Sequence, residues 1–318
     1  MRLNKIWMLG LVALLVFSCD KNDDDGIETV PPRDRGEVAI EDDQELIEYM
    51  TTHFYNYEDF QNPPENFDYV VRFDTIAGEN AGKTPIIESE DLITKTVNYQ
   101  GVDQQLYILK VREGEGPAPK KTDSVFTALL GENLTGEVFQ NNIKTPTWFS
   151  LTAYQVKGAN GVVQRGGGTI TGFQEGFTEF RASTGYKVLS DNTIEWKNDF
   201  GVGAIFMPSG LAYFSESRPN IPAYSPIIFS LNLYLVNEAD HDADGIPSYM
   251  EDLDGDGDLF NDDTDEDDLS NFSDADDDGD GTPTRKEIEI LEDGTIIFTD
   301  TNGDGIPDYL DPDTFKED

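Results

Sequence analysis

The sequence predicts an α+β fold in which an antiparallel sheet packs against a short helix, with a helical segment before it and an irregular acidic region after it. Two patterns predict the sheet. Residues 104–237 contain short runs of alternating side chains bounded by glycines, which is typical of strands. Only one short helical stretch, residues 174–180, interrupts these runs. A sharp rise in acidic residues after Asn237 predicts the third part.

Composition excludes several classes of function. The 318 residues carry 22 lysines and arginines against 64 aspartates and glutamates, a formal charge of −42, with one cysteine and two histidines. Such a charge repels nucleic acids, because phosphate binding depends on clustered basic side chains. One cysteine cannot form an intramolecular disulfide, and two histidines are too few for a histidine-rich transition-metal site. We therefore exclude nucleic-acid binding.

The first residues are predicted to export and anchor the chain. Residues 6–17 form an apolar run after two basic residues, as in a secretory signal peptide, and the run is too short for a permanent membrane helix. Residues 16–19 (Val-Phe-Ser-Cys) resemble a bacterial lipobox. This resemblance implies a signal peptide over residues 1–18 and a lipid anchor at Cys19 in the outer membrane, facing the periplasm or the cell surface. A plainly cleaved signal peptide is the alternative.

Residues 19–37 are predicted to be a flexible acidic tether, because they are charged, contain Pro31 and Pro32 and show no apolar periodicity. The acidic stretch directly after Cys19 resembles the signals that send lipoproteins of the Bacteroidetes to the cell surface. The tether is therefore expected to hold the folded part of the chain away from a membrane.

Residues 38–103 are predicted to form an N-terminal extension that is partly helical and partly irregular. Asp42 and Asp43 stand where the dipole of a helix favours acidic residues. Apolar residues at helical spacing follow them, namely Leu46, Ile47, Met50 and Phe54. One short amphipathic helix is therefore expected here.

Two strands are clearest in the sheet region. Side chains alternate along residues 106–111, which end before Gly114 and Gly116. A longer alternating run, residues 227–236, is predicted to bury one face completely.

Acidic motifs repeat in residues 238–318, which hold 31 of the 64 acidic residues and only three basic ones. Such a segment repels itself unless cations neutralise it. Four loops carry oxygen side chains at positions 1, 3 and 5 and glycine at position 6, the pattern of a calcium loop. The four windows are Asp240-x-Asp242-x-Asp244-Gly245, Asp252-x-Asp254-x-Asp256-Gly257, Asp276-x-Asp278-x-Asp280-Gly281 and Asp300-x-Asn302-x-Asp304-Gly305. Position 12 of the first, second, third and fourth loop is Glu251, Asp263, Glu287 and Asp311.

Three of these loops carry proline at position 8, and no long amphipathic helix follows them, so paired EF-hands are not expected. The segment resembles the thrombospondin type 3 repeats, in which the chain wraps around a line of calcium ions. That resemblance implies structural calcium in residues 238–318. The alternative is a solvated acidic tail that keeps the protein soluble.

Five segments of the sheet region occur in an order that resembles the FKBP-type peptidyl-prolyl cis-trans isomerases. They are residues 114–117 (Gly-Glu-Gly-Pro), 134–139 (Leu-Thr-Gly-Glu-Val-Phe), 170–176 (Ile-Thr-Gly-Phe-Gln-Glu-Gly), 207–213 (Met-Pro-Ser-Gly-Leu-Ala-Tyr) and 221–229 (Ile-Pro-Ala-Tyr-Ser-Pro-Ile-Ile-Phe). The resemblance implies an FKBP-like domain over residues 104–237, a twisted antiparallel sheet wrapped over a short helix. It also implies an enzyme that rotates X-Pro peptide bonds and assists the folding of envelope or secreted proteins.

This chemistry needs no cofactor. Amide resonance sets a rotation barrier of ~18–20 kcal/mol, and an apolar pocket that strips water from the carbonyl favours the twisted amide. Proline-containing polypeptides are the implied substrates. The resemblance implies that Phe139, Ile170 and Phe229 line the pocket, that Phe173 is its floor, that Tyr213 offers its hydroxyl to the substrate carbonyl and that Ile221 closes the rim.

Four positions depart from the family pattern, of which Phe173, where tryptophan is more common, is a conservative change. Gln140 stands where the family has aspartate, Leu129 where a tyrosine is common, and Phe214 where glycine usually follows the tyrosine. These departures keep a second hypothesis open, a calcium-stabilised lipoprotein that binds proline-bearing segments as a chaperone or adhesin with little catalysis.

Overall fold

The chain folds around one large antiparallel sheet. The computed structural model describes residues 31–314, so the predicted signal peptide, Cys19 and most of the predicted tether lie outside the described residues. Residues 31–314 contain helices α1 to α4 and strands β1 to β15. The helices are α1 (Arg35–Thr52), α2 (Tyr57–Gln61), α3 (Thr171–Phe177) and α4 (Thr284–Glu287). The strands are β1 (His53–Tyr55), β2 (Phe73–Thr75), β3 (Leu92–Tyr99), β4 (Val102–Arg112), β5 (Ser124–Asn133), β6 (Val138–Asn141), β7 (Thr147–Ser150), β8 (Ala153–Lys157), β9 (Val163–Gly167), β10 (Tyr186–Val188), β11 (Ile194–Trp196), β12 (Gly201–Met207), β13 (Ile227–Asn237), β14 (Ile288–Ile290) and β15 (Ile296–Phe298).

Seven strands form the central sheet in the order β3-β4-β12-β13-β5-β6, with β7 also paired to β5. Every neighbouring pair is antiparallel. Strand β13 lies at the centre of the sheet, and its pairing with β5 sets Phe229 opposite Gly131. The mixed fold with a large antiparallel sheet confirms the predicted α+β class.

The sheet begins earlier in the sequence than predicted. Strand β3 lies inside the predicted N-terminal extension of residues 38–103, yet it pairs with β4 along its whole length. This strand is at the edge of the sheet, and Val97 is its one buried residue. Because only one position is buried, the apolar alternation that marks a strand is weak here.

Two apolar cores cover the two faces of the sheet. Leu106 and Ile108 of β4 belong to the core beneath α3, whereas Tyr107 and Leu109 belong to a core built with α1 and the segment that follows it. Strand β13 is therefore buried on both faces, whereas the sequence predicts complete burial of only one face. The N-terminal extension thus supplies one side of the sheet's packing.

Helix α1 is longer than predicted. It begins at Arg35, and the side chain of Asp34 caps it by accepting a hydrogen bond from the Glu37 backbone N–H at 3.0 Å. Residues 35–37, the last three of the predicted tether (residues 19–37), therefore belong to this helix. Phe54 lies beyond the helix, in β1.

The acidic region, from residue 238 onward, is mostly irregular. Its regular elements are short: α4, the hairpin β14–β15 and single helical turns. Ile246, Ile288 and Tyr309 form a small apolar cluster there. Among residues 31–314, no helix has the length and apolar character needed to cross a membrane.

Candidate functional site

A cavity of about 360 Å³ lies between α3 and the sheet. Four phenylalanine rings from four different elements line it, and a tyrosine and an arginine lie on the loop that follows β12. A cavity of this size takes a small ring and the peptide group beside it. The lining residues are Leu129, Phe139, Gln140, Phe149, Gly168, Thr169, Ile170, Phe173, Tyr213, Arg218 and Phe229.

The sheet and α3 bring most of the predicted site residues together. Strand β5 carries Leu129, β6 carries Phe139 and Gln140, and β13 carries Phe229. The start of α3 places the other wall residues, because Ile170 is its N-cap and Phe173 lies one turn in. Tyr213 lies on the loop after β12, so seven of the eight predicted residues line one cavity.

The rings of the cavity meet edge to face. The Phe229 ring lies 5.4 Å from Phe139 at 89° and 5.4 Å from Phe173 at 87°. Phe173 also stacks on Phe177 of the same helix at 4.3 Å, which fixes its ring beneath the cavity. Edge-to-face pairs hold their rings in defined orientations, so these three side chains form a preshaped wall.

A glycine in β5 makes room for two of these rings. A Cβ atom on Gly131 would lie 2.6 Å from the Phe139 ring and 2.8 Å from the Phe229 ring. Gly131 pairs with Phe229 on one side and with Gln140 on the other. The absence of a side chain at this position therefore allows the rings to pack against the strand.

Arg218 is a lining residue that the sequence analysis missed. Its guanidinium carbon lies 4.2 Å from the centroid of the Tyr213 ring, and its Nη2 donates to Glu216 Oε2 at 2.9 Å. A cation over an aromatic face is attracted by the ring and holds its orientation. The loop sequence carries no periodic signal that could have placed Arg218 beside the tyrosine.

Ile221 does not line the cavity. It is 3 % exposed and packs in the core beneath α3, and its backbone pairs with that of Arg218 through hydrogen bonds of 2.8 and 2.9 Å. Its observed place is therefore the base of the loop that carries Arg218, rather than the rim.

Other missed lining residues are Phe149, Gly168 and Thr169. Phe149 lies in β7, and its ring is 5.8 Å from that of Phe173. Gly168 and Thr169 directly precede Ile170. The apolar residues around Phe149 indicate a strand in the sequence. The sequence does not show which strand it pairs with, because that pairing depends on the register of β5.

Helix α1 supports the loop that carries Tyr213. Asp42 accepts hydrogen bonds from Ser209, and the Arg35 guanidinium donates to the Gly210 carbonyl at 3.2 Å. Arg35 also covers the ring of Phe214 at 3.9 Å. Phe214 has a φ of 49°, a left-handed conformation that glycine adopts more easily. Arg35 therefore packs on a residue whose backbone is held in a strained conformation.

The four predicted acidic loops share one pattern of internal hydrogen bonds. In the first loop, Asp240 Oδ2 accepts from the Gly245 N–H at 3.1 Å, and Asp242 Oδ1 accepts from the Asp244 N–H at 3.1 Å. The same two bonds recur in the other three loops. Each sixth residue is a glycine in the left-handed region, such as Gly245 with φ 102°. This curl turns the side chains of positions 1, 3 and 5 toward one point.

A further loop over residues 263–274, which we call the offset loop, escaped the sequence analysis. Asp263 Oδ2 accepts from the Asp268 N–H at 3.0 Å, and Asp265 Oδ1 accepts from the Asp267 N–H at 3.1 Å, as in the other loops. Asp268 takes the place of the glycine, with φ 75°. Because the sequence search required glycine at position 6, it assigned Asp263 only to the end of the second loop.

Many of the predicted ligands converge. Carboxylate oxygens of Asp240, Asp242 and Asp244 lie within 4.8 Å of one another, and the corresponding triads of the second, third and offset loops do the same. Those triads are Asp252, Asp254 and Asp256; Asp276, Asp278 and Asp280; and Asp263, Asp265 and Asp267. The fourth loop is arranged differently, since Asn302 Nδ2 donates to Asp311 Oδ2 at 2.8 Å and to Asp304 Oδ2 at 3.2 Å. Its first residue, Asp300, accepts from the Gly303 N–H at 2.7 Å.

Buried carboxylates without hydrogen-bond donors show what these loops can hold. Both side-chain oxygens of Glu251 and of Glu287, at position 12 of the first and third loops, are buried and unpartnered. Burial, together with neighbouring carboxylates, raises the pKa of Glu251 to about 11 and of Glu287 to about 8. A buried carboxylate stays ionised at neutral pH only beside a positive charge. An all-oxygen set of this kind fits calcium.

The acidic region contacts the hairpin β8–β9, which leads into the cavity. Gln155 Oε1 accepts from the Ser270 N–H at 2.9 Å, and Lys157 forms an ion pair with Asp267 of the offset loop. Arg165 lies 3.8 Å from the centroid of the Phe260 ring. The chain continues from β9 into Gly168, which lines the cavity.

Comparisons with known proteins show similarities over parts of the chain. Residues 241–298 match a protein family described as BamM C-terminal, which is not a calcium-binding repeat family. Similar solved structures include FkpA from Escherichia coli, with 19 % identity over 63 % of this chain and 62 % of that chain and a TM-score of 0.34. A peptidyl-prolyl cis-trans isomerase from Pseudomonas syringae pv. tomato has 16 % identity over 47 % of this chain and 84 % of that chain, with a TM-score of 0.32. The N-terminal domain of FKBP42 from Arabidopsis thaliana has 14 % identity over 49 % of this chain and 98 % of that chain, with a TM-score of 0.33.

These structural neighbours are FKBP-type isomerases, and the likeness is low. The chain spans less than two thirds of the first of them, and the family match covers less than half of the chain.

Proposed function

We propose that this protein is a peptidyl-prolyl cis-trans isomerase of the FKBP type. The observation that carries the proposal is the cavity of about 360 Å³ walled by Phe139, Phe173 and Phe229, with Tyr213 beside it. Rigid aromatic walls and a hydroxyl are the groups that this reaction requires, since it breaks no covalent bond.

The arrangement favours the twisted amide in two ways. The ring of a substrate proline is proposed to lie over Phe173 and beside Phe139 and Phe229, which contact each other edge to face, and this placement excludes water from the adjoining carbonyl. Since the twisted amide has less charge separation than the planar one, loss of water costs it less. Tyr213 is proposed to donate its hydroxyl to the substrate carbonyl, and Arg218 holds the tyrosine ring.

The experiment is an isomerisation assay on X-Pro peptides with the full chain in calcium. We expect acceleration that falls strongly in Phe173→Ala and Tyr213→Phe. Tyr186→Phe is the matched control, because Tyr186 is an exposed tyrosine on β10, outside the cavity. Acceleration that persists in both cavity variants would contradict the proposed site.

A second candidate, a proline-segment binding protein with little catalysis, is favoured by one observation. Gln140 and Leu129 both line the cavity, so the family's aspartate and tyrosine are replaced at the site itself. The two functions are distinguished by the double variant Gln140→Asp, Leu129→Tyr. A large gain in turnover with unchanged peptide binding would identify the natural protein as mainly a binder, whereas unchanged turnover favours the enzyme.

The acidic region is proposed to bind calcium in a structural role. The unpartnered buried oxygens of Glu251 and Glu287 support this assignment, because they need a cation at neutral pH. Extracellular calcium modules bind at ~10⁻⁴ to 10⁻³ M, which suits sites that stay filled outside the cell. Bound calcium would neutralise the charge of these carboxylates. The carboxylates that bind it would hold the backbone of each loop in its curled conformation.

The proposed location is the bacterial envelope. A lipobox-like sequence at Cys19 supports anchoring in the outer membrane, and residues 241–298 match a family linked to outer-membrane assembly. Metabolic labelling with a palmitate analogue tests the anchor, with Cys19→Ala as the variant that loses the label. A labelled Cys19→Ala protein would contradict lipidation at this residue.

A further inference from the structure

Asp277 lies in the third acidic loop but meets the first one. Its carboxylate oxygen is within 4.8 Å of carboxylate oxygens of Asp244 and Glu251, both from the first loop. Asp277 holds position 2 of its loop, between the ligand positions that the repeat pattern predicts. The pattern therefore gives this side chain no part in the third loop's own cluster of Asp276, Asp278 and Asp280.

These three carboxylates are buried, and only Asp244 accepts a hydrogen bond, through Oδ1 from the Ile246 N–H at 2.6 Å. Asp244 is 2 %, Glu251 1 % and Asp277 2 % exposed. Both side-chain oxygens of Glu251, both of Asp277 and Oδ2 of Asp244 have no hydrogen-bond partner. Arg285 acts on Asp244 through charge attraction but does not hydrogen-bond to the free oxygen. Three like charges this close in a dry site repel one another strongly unless a cation lies among them.

We propose that one calcium ion is held jointly by Asp244 and Glu251 of the first loop and Asp277 of the third loop. Calcium fits because it is a hard cation that accepts several carboxylate oxygens in irregular geometry. This clamp ion adjoins the first loop's own cluster, since Asp244 belongs to both groups. The inference rests on the proposed calcium binding of the acidic region and is independent of isomerase activity.

The clamp would fasten the part of the chain that contacts the hairpin β8–β9. The segment between Glu251 and Asp277 contains Phe260, Asp267 and Ser270, which contact Arg165, Lys157 and Gln155 of the hairpin. A cation bound by Glu251 and Asp277 closes this segment into a loop. Closure limits the conformations that the segment can adopt when it is detached from the hairpin. The clamp therefore stabilises the docking of the acidic region against the sheet domain.

Calcium titration of the full chain, with native mass spectrometry and hydrogen exchange, tests this clamp. We expect Asp277→Asn to bind one calcium ion fewer, or about tenfold more weakly at one site. We also expect amide protection to fall in both residues 240–251 and 276–287. Glu251→Gln should behave in the same way. The control is Glu289→Gln, which removes one exposed negative charge from β14, outside the clustered carboxylates.

Stability with and without calcium separates a ligand from a merely structural residue. In chelator, Asp277→Asn should unfold at the same or a higher temperature than the wild type, because it removes a buried negative charge. In calcium, it should unfold at a lower temperature. An unchanged calcium count and affinity, or loss of protection in residues 276–287 alone, would overturn the clamp while leaving the acidic region's calcium binding intact. A wild-type chain that binds no calcium would overturn both.

Discussion

The Asp42 carboxylate accepts two hydrogen bonds from Ser209, one from its backbone N–H at 2.7 Å and one from its hydroxyl at 2.6 Å. Ser209 begins the turn that leads to Tyr213, and Asp42 lies in the middle of α1. The N-terminal helix thereby fixes the loop that carries the proposed hydroxyl donor. The region before the sheet is thus a support of the site, besides covering one face of the sheet.

Asp42 gives the stability of the protein a specific pH dependence. Burial raises its pKa from 3.8 to about 6, because loss of water outweighs the hydrogen bonds from Ser209. Because the pKa of Asp42 is higher in the folded state than in the unfolded state, its protonated form stabilises the fold. This contribution to the free energy of unfolding is complete below pH ~4 and is lost as the pH rises through ~6. Its size is on the order of 3 kcal/mol. Asp42→Asn should reduce this loss while keeping an acceptor for Ser209.

The measurement is the free energy of unfolding in urea as a function of pH, in calcium. Glu48→Gln is the control, because Glu48 is an exposed carboxylate on the same helix. Equal slopes for Asp42→Asn and the wild type would show that Asp42 is not the group responsible.

Gly131→Ala should damage the cavity and the fold together. Its Cβ would lie 2.6 Å from the Phe139 ring, so the two rings must shift. Overpacking of this kind typically costs about 1–3 kcal/mol. We expect a lower melting temperature and weaker binding of proline peptides. Gly82→Ala is the control, since no atom lies within 4 Å of its added Cβ. Peptide binding at the wild-type level in Gly131→Ala would show that these ring positions do not shape the site.

Removing calcium should expand the acidic region. Without cations, the clustered carboxylates of residues 240–280 repel one another, and the few apolar contacts around Ile246 and Tyr309 cannot compensate. We expect a larger hydrodynamic radius and altered circular dichroism in chelator, both restored by calcium. An identical radius and spectrum in calcium and chelator would contradict a calcium-dependent fold.

Arg218 should favour peptides with an acidic residue beside the proline. It is the one basic side chain among the cavity-lining residues of the described chain. Arg218→Gln should lower the rate for an acidic peptide about fivefold relative to a neutral one, with the difference shrinking at high salt. Glu216→Gln should act in the opposite direction, because Glu216 pairs with Arg218 at 2.9 Å. The ratio of rates for the two peptides measures the effect. An unchanged ratio in both variants would refute it.

Most of the residues that the sequence proposes for the pocket lie around one cavity, and they could be found because they belong to short segments with distinct composition. Phe139, Phe173 and Phe229 come from three such segments, and the sheet brings them within one site. Arg218 could not be predicted, because its position depends on how an irregular loop folds back on Tyr213.

The same limit applies to the N-terminal and acidic regions. The packing of Leu46 and Met50 against the sheet depends on contacts between distant parts of the chain, which local periodicity does not encode. In the acidic region, a fixed spacing predicts the loops that keep glycine at position 6. It misses Asp268, which takes the left-handed conformation in place of glycine, and Asp277, whose partners belong to another loop.

The most direct test of the central claim is the cis–trans exchange rate of one X-Pro peptide, measured by NMR exchange spectroscopy with a small amount of the full chain in calcium. This measurement reports binding and turnover in the same sample. The account predicts faster exchange between the cis and trans signals, and loss of the acceleration in Phe173→Ala. Peptide signals that shift on binding while the exchange rate stays at the uncatalysed value would contradict an isomerase.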